Sequence, residues 1–356
     1  MTPAALSDVV ATAVGDLVRR DGAPFPAPFP GPIPPVDLVR CRFPEHGDYT
    51  TAVALRLASI TDLPARDVAA GLAALLAQEP GVRTAHVAGP GFVNVTVQEP
   101  RPGDVLTRIV RNARPGPPAE QTSARRGSVR TSPADLRRLR HAVVTAALVR
   151  LRQSAGVPAP EDQPLPGVDR VGVVRVLPHV DADRDAPLAD VDVDVLRFEL
   201  ARHPVGPPLV LDADALTRDA VANPGYAVRY AASRCAGLLR SAADLTAGTD
   251  LRIADPDVAA HDVLGSPPAA RLVGLLSSYG DAVRTCATRA EPHRLARHLE
   301  GVADAVLALV AGADVLPRGD DETSDRHRAL LLAVRASSVV LTDGLALLGL
   351  RAPVRL

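Results

Sequence analysis

Residues 223–234 read Asn-Pro-Gly-Tyr-Ala-Val-Arg-Tyr-Ala-Ala-Ser-Arg, and this stretch decides the fold of the C-terminal half. Asn223 is a favourable N-cap, and Pro224 suits the first helical position because its missing N–H would have no partner there. The apolar positions that follow recur with helical period: Val228, Ala231, Cys235, Leu238, Leu239 and Ala242. The opposite face of this predicted helix carries Tyr226, Arg229, Tyr230, Ser233 and Arg240.

The helical pattern continues to the C-terminus. Further helices are predicted over residues 268–290, 292–311 and 324–348, the last ending at Gly349, a favourable C′ residue. Each has one apolar stripe, so the stripes are expected to face one another in an all-α helical bundle.

Upstream, the first hundred residues mix helical and alternating patterns. Helices are predicted over 5–20, 49–60 and 64–78, and strands over 36–43, 82–88 and 92–98. A proline-rich stretch, 23–35, separates the first helix from the rest and cannot form a regular element. The pattern predicts a compact α+β domain.

The middle of the chain begins with a basic segment. Residues 125–152 include eight Arg and one acidic residue, and the period predicts a helix over 132–155. A buried strand is predicted at 171–177, and the acidic stretch 181–194 follows. These elements predict a reduced α/β region. The arginines of the basic segment either contact the phosphates of a nucleic acid or form ion pairs with the acidic stretch. The near balance of the two charge blocks favours the ion pairs.

Composition limits the function classes. Forty Lys+Arg against 41 Asp+Glu give a net charge of −1, which excludes a chain-wide polyanion binder but not a local basic face. All 40 basic residues are Arg, so reactions that need a side-chain amine are excluded. Cys41, Cys235 and Cys286 are too widely spaced for a disulfide framework or a zinc site, and no metal site is predicted. With no uninterrupted run of about 18 apolar residues and no secretory pattern, we expect a soluble, cytoplasmic protein without a membrane partner.

Several motifs resemble landmarks of the arginyl-tRNA synthetases. Residues 223–234 are similar to the family's Asn-Pro-x-Tyr-x-Val-x-Tyr-Ala-x-x-Arg entry into the anticodon-binding bundle, the DALR domain, and Asp194-Val195-Leu196-Arg197 stands upstream of them as in the family. Residues 291–299 resemble a family helix. Residues 347–356 resemble the closing Leu-Leu-Gly-x-x-Ala-Pro-x-x-Met, with Leu356 in place of Met.

The N-terminal landmarks also resemble that family. Residues 46–51 and 89–94 are similar to motifs of its appended domain, which touches the tRNA elbow, although the family usually has Asn where Thr51 stands. The resemblance implies an appended domain over 1–100, a degenerate remnant of the class I catalytic domain (a Rossmann remnant) over 101–190, and a DALR-like bundle over 191–356.

The middle departs from the family pattern at the ATP site. Class I synthetases stabilise the phosphates with a His-x-Gly-His element and a Lys-Met-Ser-Lys-type loop, and here the first has become Asp135-Leu136-Arg137-Arg138. The second cannot exist in standard form, because the chain has neither Lys nor an internal Met. Arg137, Arg138 and Arg140 remain candidates for a residual nucleotide site.

The resemblance therefore implies a non-catalytic protein that binds tRNA, with tRNA(Arg) as a candidate, or another structured RNA. No cofactor is predicted. The candidate RNA-binding residues are Asp48, Tyr49, Phe92, Asn94, Tyr226, Arg229, Tyr230, Arg234, Arg240 and Leu356. Aromatic–Arg surfaces bind unpaired RNA, whereas the plainer alternative is that one tyrosine packs in the bundle and the arginines only solvate its surface.

Two other functions stay open. The first is a divergent but active arginine–tRNA ligase, which would use ATP. The second is a protein-interaction module without RNA, whose partner could be a synthetase or another protein.

Overall fold

The computed structural model describes residues 3–19, 25, 29, 31–41, 43–98, 101–113, 132–158, 171–177, 188, 191–218, 222–245, 262–319 and 321–355. The chain divides into two compact units, Met1–Pro100 and Arg101–Leu356.

The first unit packs three helices on one face of a four-stranded antiparallel sheet. The helices are α1 (Pro3–Arg19), α2 (Val53–Thr61) and α3 (Ala65–Leu76), and the strands are β1 (Leu38–Arg40), β2 (Tyr49–Thr51), β3 (Val82–Ala88) and β4 (Phe92–Val97). The strand order is β1-β2-β4-β3. Leu6, Leu57, Leu72, Val93 and Val95 are among the buried residues that form its core.

One predicted element of this unit is wrong in part. The helix expected from residue 49 begins only at Val53, because Tyr49–Thr51 form β2 and pair with both β1 and β4. The helical period that suggested an earlier start comes from Val53, Ala54, Leu57 and Ala58, all buried along one side of α2.

The second unit begins with two helices, which a βαβ unit follows. After α4 (Pro102–Arg111) and α5 (Pro133–Ala155), β5 (Val174–Leu177) pairs in parallel with β6 (Leu209–Asp212). The connection carries α6 (Val193–Ala201), and the short helix α7 (Ala213–Thr217) follows β6. Residues of α5, α6, α7 and both strands share one small apolar core.

Gly172 is required where the chain leads into β5. Its N–H donates to the Val205 carbonyl oxygen at 3.0 Å, and the Leu209 N–H donates to the Val173 carbonyl oxygen at 2.8 Å. A Cβ atom at Gly172 would lie 2.3 Å from the Pro207 carbonyl oxygen. The two segments therefore approach too closely for any side chain at this position.

The rest of the second unit is the predicted helical bundle. Its helices are α8 (Pro224–Leu245), α9 (Pro267–Ser277), α10 (Tyr279–Arg289), α11 (Pro292–Gly312) and α12 (Asp325–Leu347). Buried residues of α4 and α5, such as Leu106 and Leu148, join the bundle core. The middle segment is thus packed into the same unit as the bundle.

The helix predicted over 268–290 is two helices. The break lies at Ser278, whose hydroxyl donates to the carbonyl oxygens of Gly274 and Leu275 and so competes with the helical pattern. The Tyr279 hydroxyl then donates to Asp343 on α12 at 2.6 Å.

Helix α12 runs through the core of the bundle. Within the described part of the chain it is the one helix long and apolar enough to cross a membrane, and 67% of its apolar window is buried inside the protein. It packs against α4, α8, α9 and α11. That burial is what a central core helix shows.

Asn223 caps α8 and ties it to α7. Its side-chain oxygen accepts hydrogen bonds from the N–H groups of Gly225 and Tyr226, and its amide nitrogen donates to the carbonyl oxygens of Leu216 and Arg218. The side chain is buried. The predicted start of this helix is confirmed.

Gly172→Ala should destabilise the second unit by about 1–3 kcal/mol, because the new methyl group overlaps the backbone at Pro207. The measurement is equilibrium urea unfolding of the full chain followed by circular dichroism. Gly206→Ala is the matched control, since a Cβ there meets nothing within 4 Å. Equal stability of the two variants would show that the close approach is wrong.

Asn223→Ala should lower the free energy of unfolding by about 3 kcal/mol, because the helix loses its cap and two carbonyl groups lose their donors. Asn112→Ala serves as the control, since Asn112 is exposed at the end of α4 and should change stability by less than about 0.5 kcal/mol. A loss at Asn223 no larger than at Asn112 contradicts the assigned cap.

Candidate nucleic-acid interface

The exposed face of α8 carries a stacked pair of aromatic rings. Tyr226 and Tyr230 are four residues apart, and their rings lie with centroids 5.9 Å apart and planes 9° from parallel. Tyr230 is 37% exposed, so part of its side chain is accessible to solvent. Helical spacing places Arg234 and Arg240 on the same side, Arg234 exposed and Arg240 half-buried. We call Tyr226, Tyr230, Arg234 and Arg240 the tyrosine face.

Arg229 was expected on this face, and the structure corrects that expectation. Its side chain is only 5% exposed, and Nη1 donates to Oδ2 of Asp192 at 2.8 Å. The residue points towards α6, which packs against α8. Its guanidinium is therefore held inside the unit and is not available to a phosphate on the tyrosine face.

Asp192 was not singled out from the sequence. Its Oδ1 accepts a hydrogen bond from the Asp194 N–H at 2.7 Å, so the same carboxylate caps α6 and pairs with Arg229. An Asp immediately before a helix was a local signal for the cap. Its ion pair joins residues 37 positions apart, and no local pattern could reveal that.

Asp194 lies in the same charged junction. The pKa of its carboxyl group is raised, because burial and the charge of Asp192 outweigh the opposing effect of Arg229, Arg197 and Arg351. Arg197 lies 3.8 Å from Asp194, with 43% of its side chain exposed. The junction therefore combines a buried acidic group with guanidinium groups that reach the surface.

In the first unit, two candidate residues share the sheet face that does not carry the helices. Val93 and Val95 point into the core, so Phe92 and Asn94 alternate to the other face of β4. Asn94 lies between Thr50 of β2 and His86 of β3 in the register of the sheet. Phe92 is 37% exposed there, while Asn94 is buried. This outer sheet face offers an aromatic ring beside polar side chains.

The other two candidates of the first unit lie differently. Oδ2 of Asp48 accepts a hydrogen bond from the Val97 N–H at 2.9 Å, which ties the start of β2 to the end of β4. Tyr49 pairs with Val95 and packs against the core, so its ring is on the helix side of the sheet. The structure therefore places Tyr49 away from Phe92 and Asn94.

The three arginines proposed for a residual nucleotide site have three different environments. Nε of Arg137 donates to the Val171 carbonyl oxygen at 3.0 Å, and Arg138 pairs with Asp135 at 2.7 Å. Arg140 is fully buried and donates to the carbonyl oxygens of Pro204 and Pro207 at 2.6 and 3.2 Å. Burial lowers the pKa of its guanidinium. Arg140 thus holds the loop before β6, which corrects its assignment as a candidate phosphate ligand.

The first turn of α5 is closed by its own side chains. Ser132 caps the helix by accepting a hydrogen bond from the Asp135 N–H at 3.1 Å, and its hydroxyl donates to the Asp135 carboxylate at 2.6 Å. A helix N-terminus is otherwise a natural anion site. Here a carboxylate already lies at that turn.

Some predictions fall outside the described residues. These are Leu356, the part of the basic segment before Ser132, and most of the acidic stretch 181–194. Across the described ranges, no group of three or more His, Cys, Asp or Glu side chains is placed to hold a metal ion.

Two family models match separate parts of the chain. The model described as the arginyl tRNA synthetase N terminal domain matches residues 4–97, and that of the DALR anticodon binding domain matches residues 228–356. The first lies within the first compact unit and the second covers α8 from Val228 onward with the remaining bundle helices.

Known arginine–tRNA ligases are similar over about half of the chain. That of Pseudarthrobacter chlorophenolicus is 36% identical over 163 residues, which are 46% of this chain and 29% of the ligase. That of Frankia alni is 37% identical over 166 residues, which are 47% of this chain and 29% of the ligase. The chain thus matches less than a third of the length of these relatives.

A solved structure of Thermus thermophilus arginyl-tRNA synthetase aligns over 100% of both chains, with 13% identity and a TM-score of 0.47. A likeness this low carries no weight for fold or function. The family is instead assigned from the two domain matches together with the similar ligase sequences. They show that this chain belongs to the arginyl-tRNA synthetase family.

Proposed function

We propose that this protein binds tRNA through the tyrosine face and does not attach an amino acid to it. The family's anticodon-binding domain supports tRNA as the partner, and its arginine-specific relatives favour tRNA(Arg). We further propose that it acts in the cytoplasm, where tRNA is used.

The stacked tyrosines are the observation that carries the binding proposal. Unpaired bases stack on aromatic rings, and Tyr230 of the stacked pair is partly exposed. Arg234 and Arg240 lie on the same side of the helix and can contact phosphates flanking a stacked base.

The outer sheet face of the first unit supports a second RNA contact. Phe92 offers a partly exposed ring, and half-buried Thr50 and exposed His86 lie in the neighbouring strands on either side of the buried Asn94. The family model that matches this unit is that of the synthetase N-terminal domain. We assign the elbow of the tRNA to this face.

The proposal that this protein does not charge tRNA is based on the middle segment. Residues 101–190 lie between the proposed appended domain, 1–100, and the proposed anticodon-binding bundle, 191–356, and we interpret them, with the βαβ unit they enter, as a remnant of the class I catalytic domain. At the α5 N-terminus a carboxylate stands where phosphates would need positive charge. Arg140, which could have replaced that charge, is buried against carbonyl oxygens.

Tyr230→Ala should weaken tRNA binding about tenfold, because one base loses its stacking partner. Arg234→Gln should weaken it and also reduce the slope of log affinity against log salt by about one, because one phosphate contact is lost. Both are measured by mobility shift over a salt series. Leu245→Ala, an exposed apolar change on the same helix, and Arg284→Gln, an exposed charge on α10, are the controls.

If the unaltered protein gives no shift at low salt, tRNA binding is wrong and a protein-interaction module is favoured. If it binds but Tyr230→Ala and Arg234→Gln behave like their controls, the tyrosine face is not the site.

Incubation with arginine, ATP and tRNA should yield no arginyl-tRNA above a no-protein control. An active arginine–tRNA ligase purified in the same way provides the positive control. Reproducible charging by this protein would establish the divergent-ligase alternative instead.

A further inference from the structure

The buried ion pair between Asp192 and Arg229 joins the βαβ unit to the tyrosine face. Asp192 is 16% exposed and Arg229 5% exposed, and the distance between Nη1 and Oδ2 is 2.8 Å. Both carboxylate oxygens of Asp192 are used, one for Arg229 and one for the α6 cap. Nε of Arg229 has no hydrogen-bond partner among the described residues. Asp194 is also close enough for its carboxyl group to interact electrostatically with Arg229.

Two further contacts fix the same end of α8. A Cβ atom at Gly225 would lie 3.2 Å from the Cα atom and the carbonyl oxygen of Val195, so the first turn of α8 lies directly on the α6 backbone. Asn223 donates to carbonyl oxygens at the end of α7. All three contacts are made to elements that belong to, or directly follow, the βαβ unit.

The ion pair differs from the other two contacts in position. Asn223 and Gly225 precede the tyrosines, whereas Arg229 lies between Tyr226 and Tyr230. A hydrogen-bonded ion pair at that position fixes the rotation of α8 about its axis, because its geometry is directional. An apolar contact would instead tolerate a small rotation. Because the rings project from the adjacent side of the helix, the rotation sets where they point.

We propose that Asp192 and Arg229 are positioning residues that set the orientation of the Tyr226–Tyr230 stack for RNA. This rests on the proposed function. It also gives the middle segment a role without catalysis: β5, α6 and β6 form the scaffold against which the RNA-binding helix is set. Neither residue contacts RNA in this arrangement, since Arg229 is buried and the mostly covered carboxylate of Asp192 is held by Arg229 and the α6 cap.

The orientation of the two stacked tyrosine rings can be measured in the absence of RNA. The chain has four tyrosines and no tryptophan, so near-ultraviolet circular dichroism reports few rings. The difference between the spectra of the unaltered protein and Tyr226→Leu gives the contribution of the stack to the signal. Arg229→Gln should lose most of that contribution, and Arg229→Lys, which keeps a charge within reach of Asp192, should restore part of it. An Arg229→Gln spectrum equal to that of the unaltered protein would overturn the proposal.

A matched variant separates positioning from stability. Removing one partner leaves a buried unpaired charge, whereas Asp192→Asn with Arg229→Met removes both charges and keeps a capping side chain before α6. The double variant still removes Arg229 from the neighbourhood of Asp194, so its melting temperature should lie between those of Arg229→Gln and the unaltered protein. It should nevertheless show the reduced tyrosine signal. A full return of the signal would show that the pair acts only through stability.

The RNA measurement then distinguishes positioning from direct contact. Arg229→Gln and the double variant should bind tRNA about tenfold more weakly with an unchanged salt slope, because no phosphate contact is lost. Arg234→Gln, which should lower the slope by about one, is the comparison. A lower slope for Arg229→Gln would make Arg229 a phosphate ligand and overturn the proposal, as would unchanged affinity.

Failure of the proposed function gives a different result. If the unaltered protein does not bind tRNA, the proposed function is wrong, while the tyrosine spectra still decide whether the ion pair orients the stack.

Discussion

The first turns of α8 are held by buried polar contacts, and the presentation of the tyrosine face depends on them. Asn223 satisfies two N–H groups and two carbonyl groups at once, and Arg229 reaches across to the residue that caps α6. Such groups are costly to bury without partners, so their geometry is narrowly defined. The ends of two helices and of α7 are thereby fixed relative to one another.

Helix α5 joins the core of the βαβ unit to the core of the bundle. Its N-terminal end packs with β5 and α6, and its C-terminal half joins the bundle core through residues such as Leu148 and Leu151. Arg137 and Arg140 donate hydrogen bonds to backbone carbonyl groups of the segments that lead into β5 and β6. These contacts hold both segments against α5, as the proposed scaffold role requires.

The sequence predicted local features well where they follow from one element. The start of α8, the bundle and the α+β character of the first unit are all set by short-range periodicity and capping. The sequence did not predict the burial or the secondary structure of residues whose neighbours lie in distant segments of the chain. Arg229 has the spacing of an exposed residue yet is buried by Asp192, and Tyr49–Thr51 form a strand only because β1 and β4 flank them. The side chain of Ser278, which ends a helix by bonding backward, is a local effect that periodicity alone does not show.

Cross-linking is the most direct test of where RNA lies. The protein is irradiated together with tRNA that carries 4-thiouridine, and trypsin digestion then identifies the peptides attached to the tRNA. Because trypsin cuts after Arg, residues 219–229 and residues 230–234 are released as separate peptides. We expect adducts on these two peptides, at Tyr226 and Tyr230. Cross-links confined to other bundle helices, with none on either peptide, would contradict RNA binding at the tyrosine face.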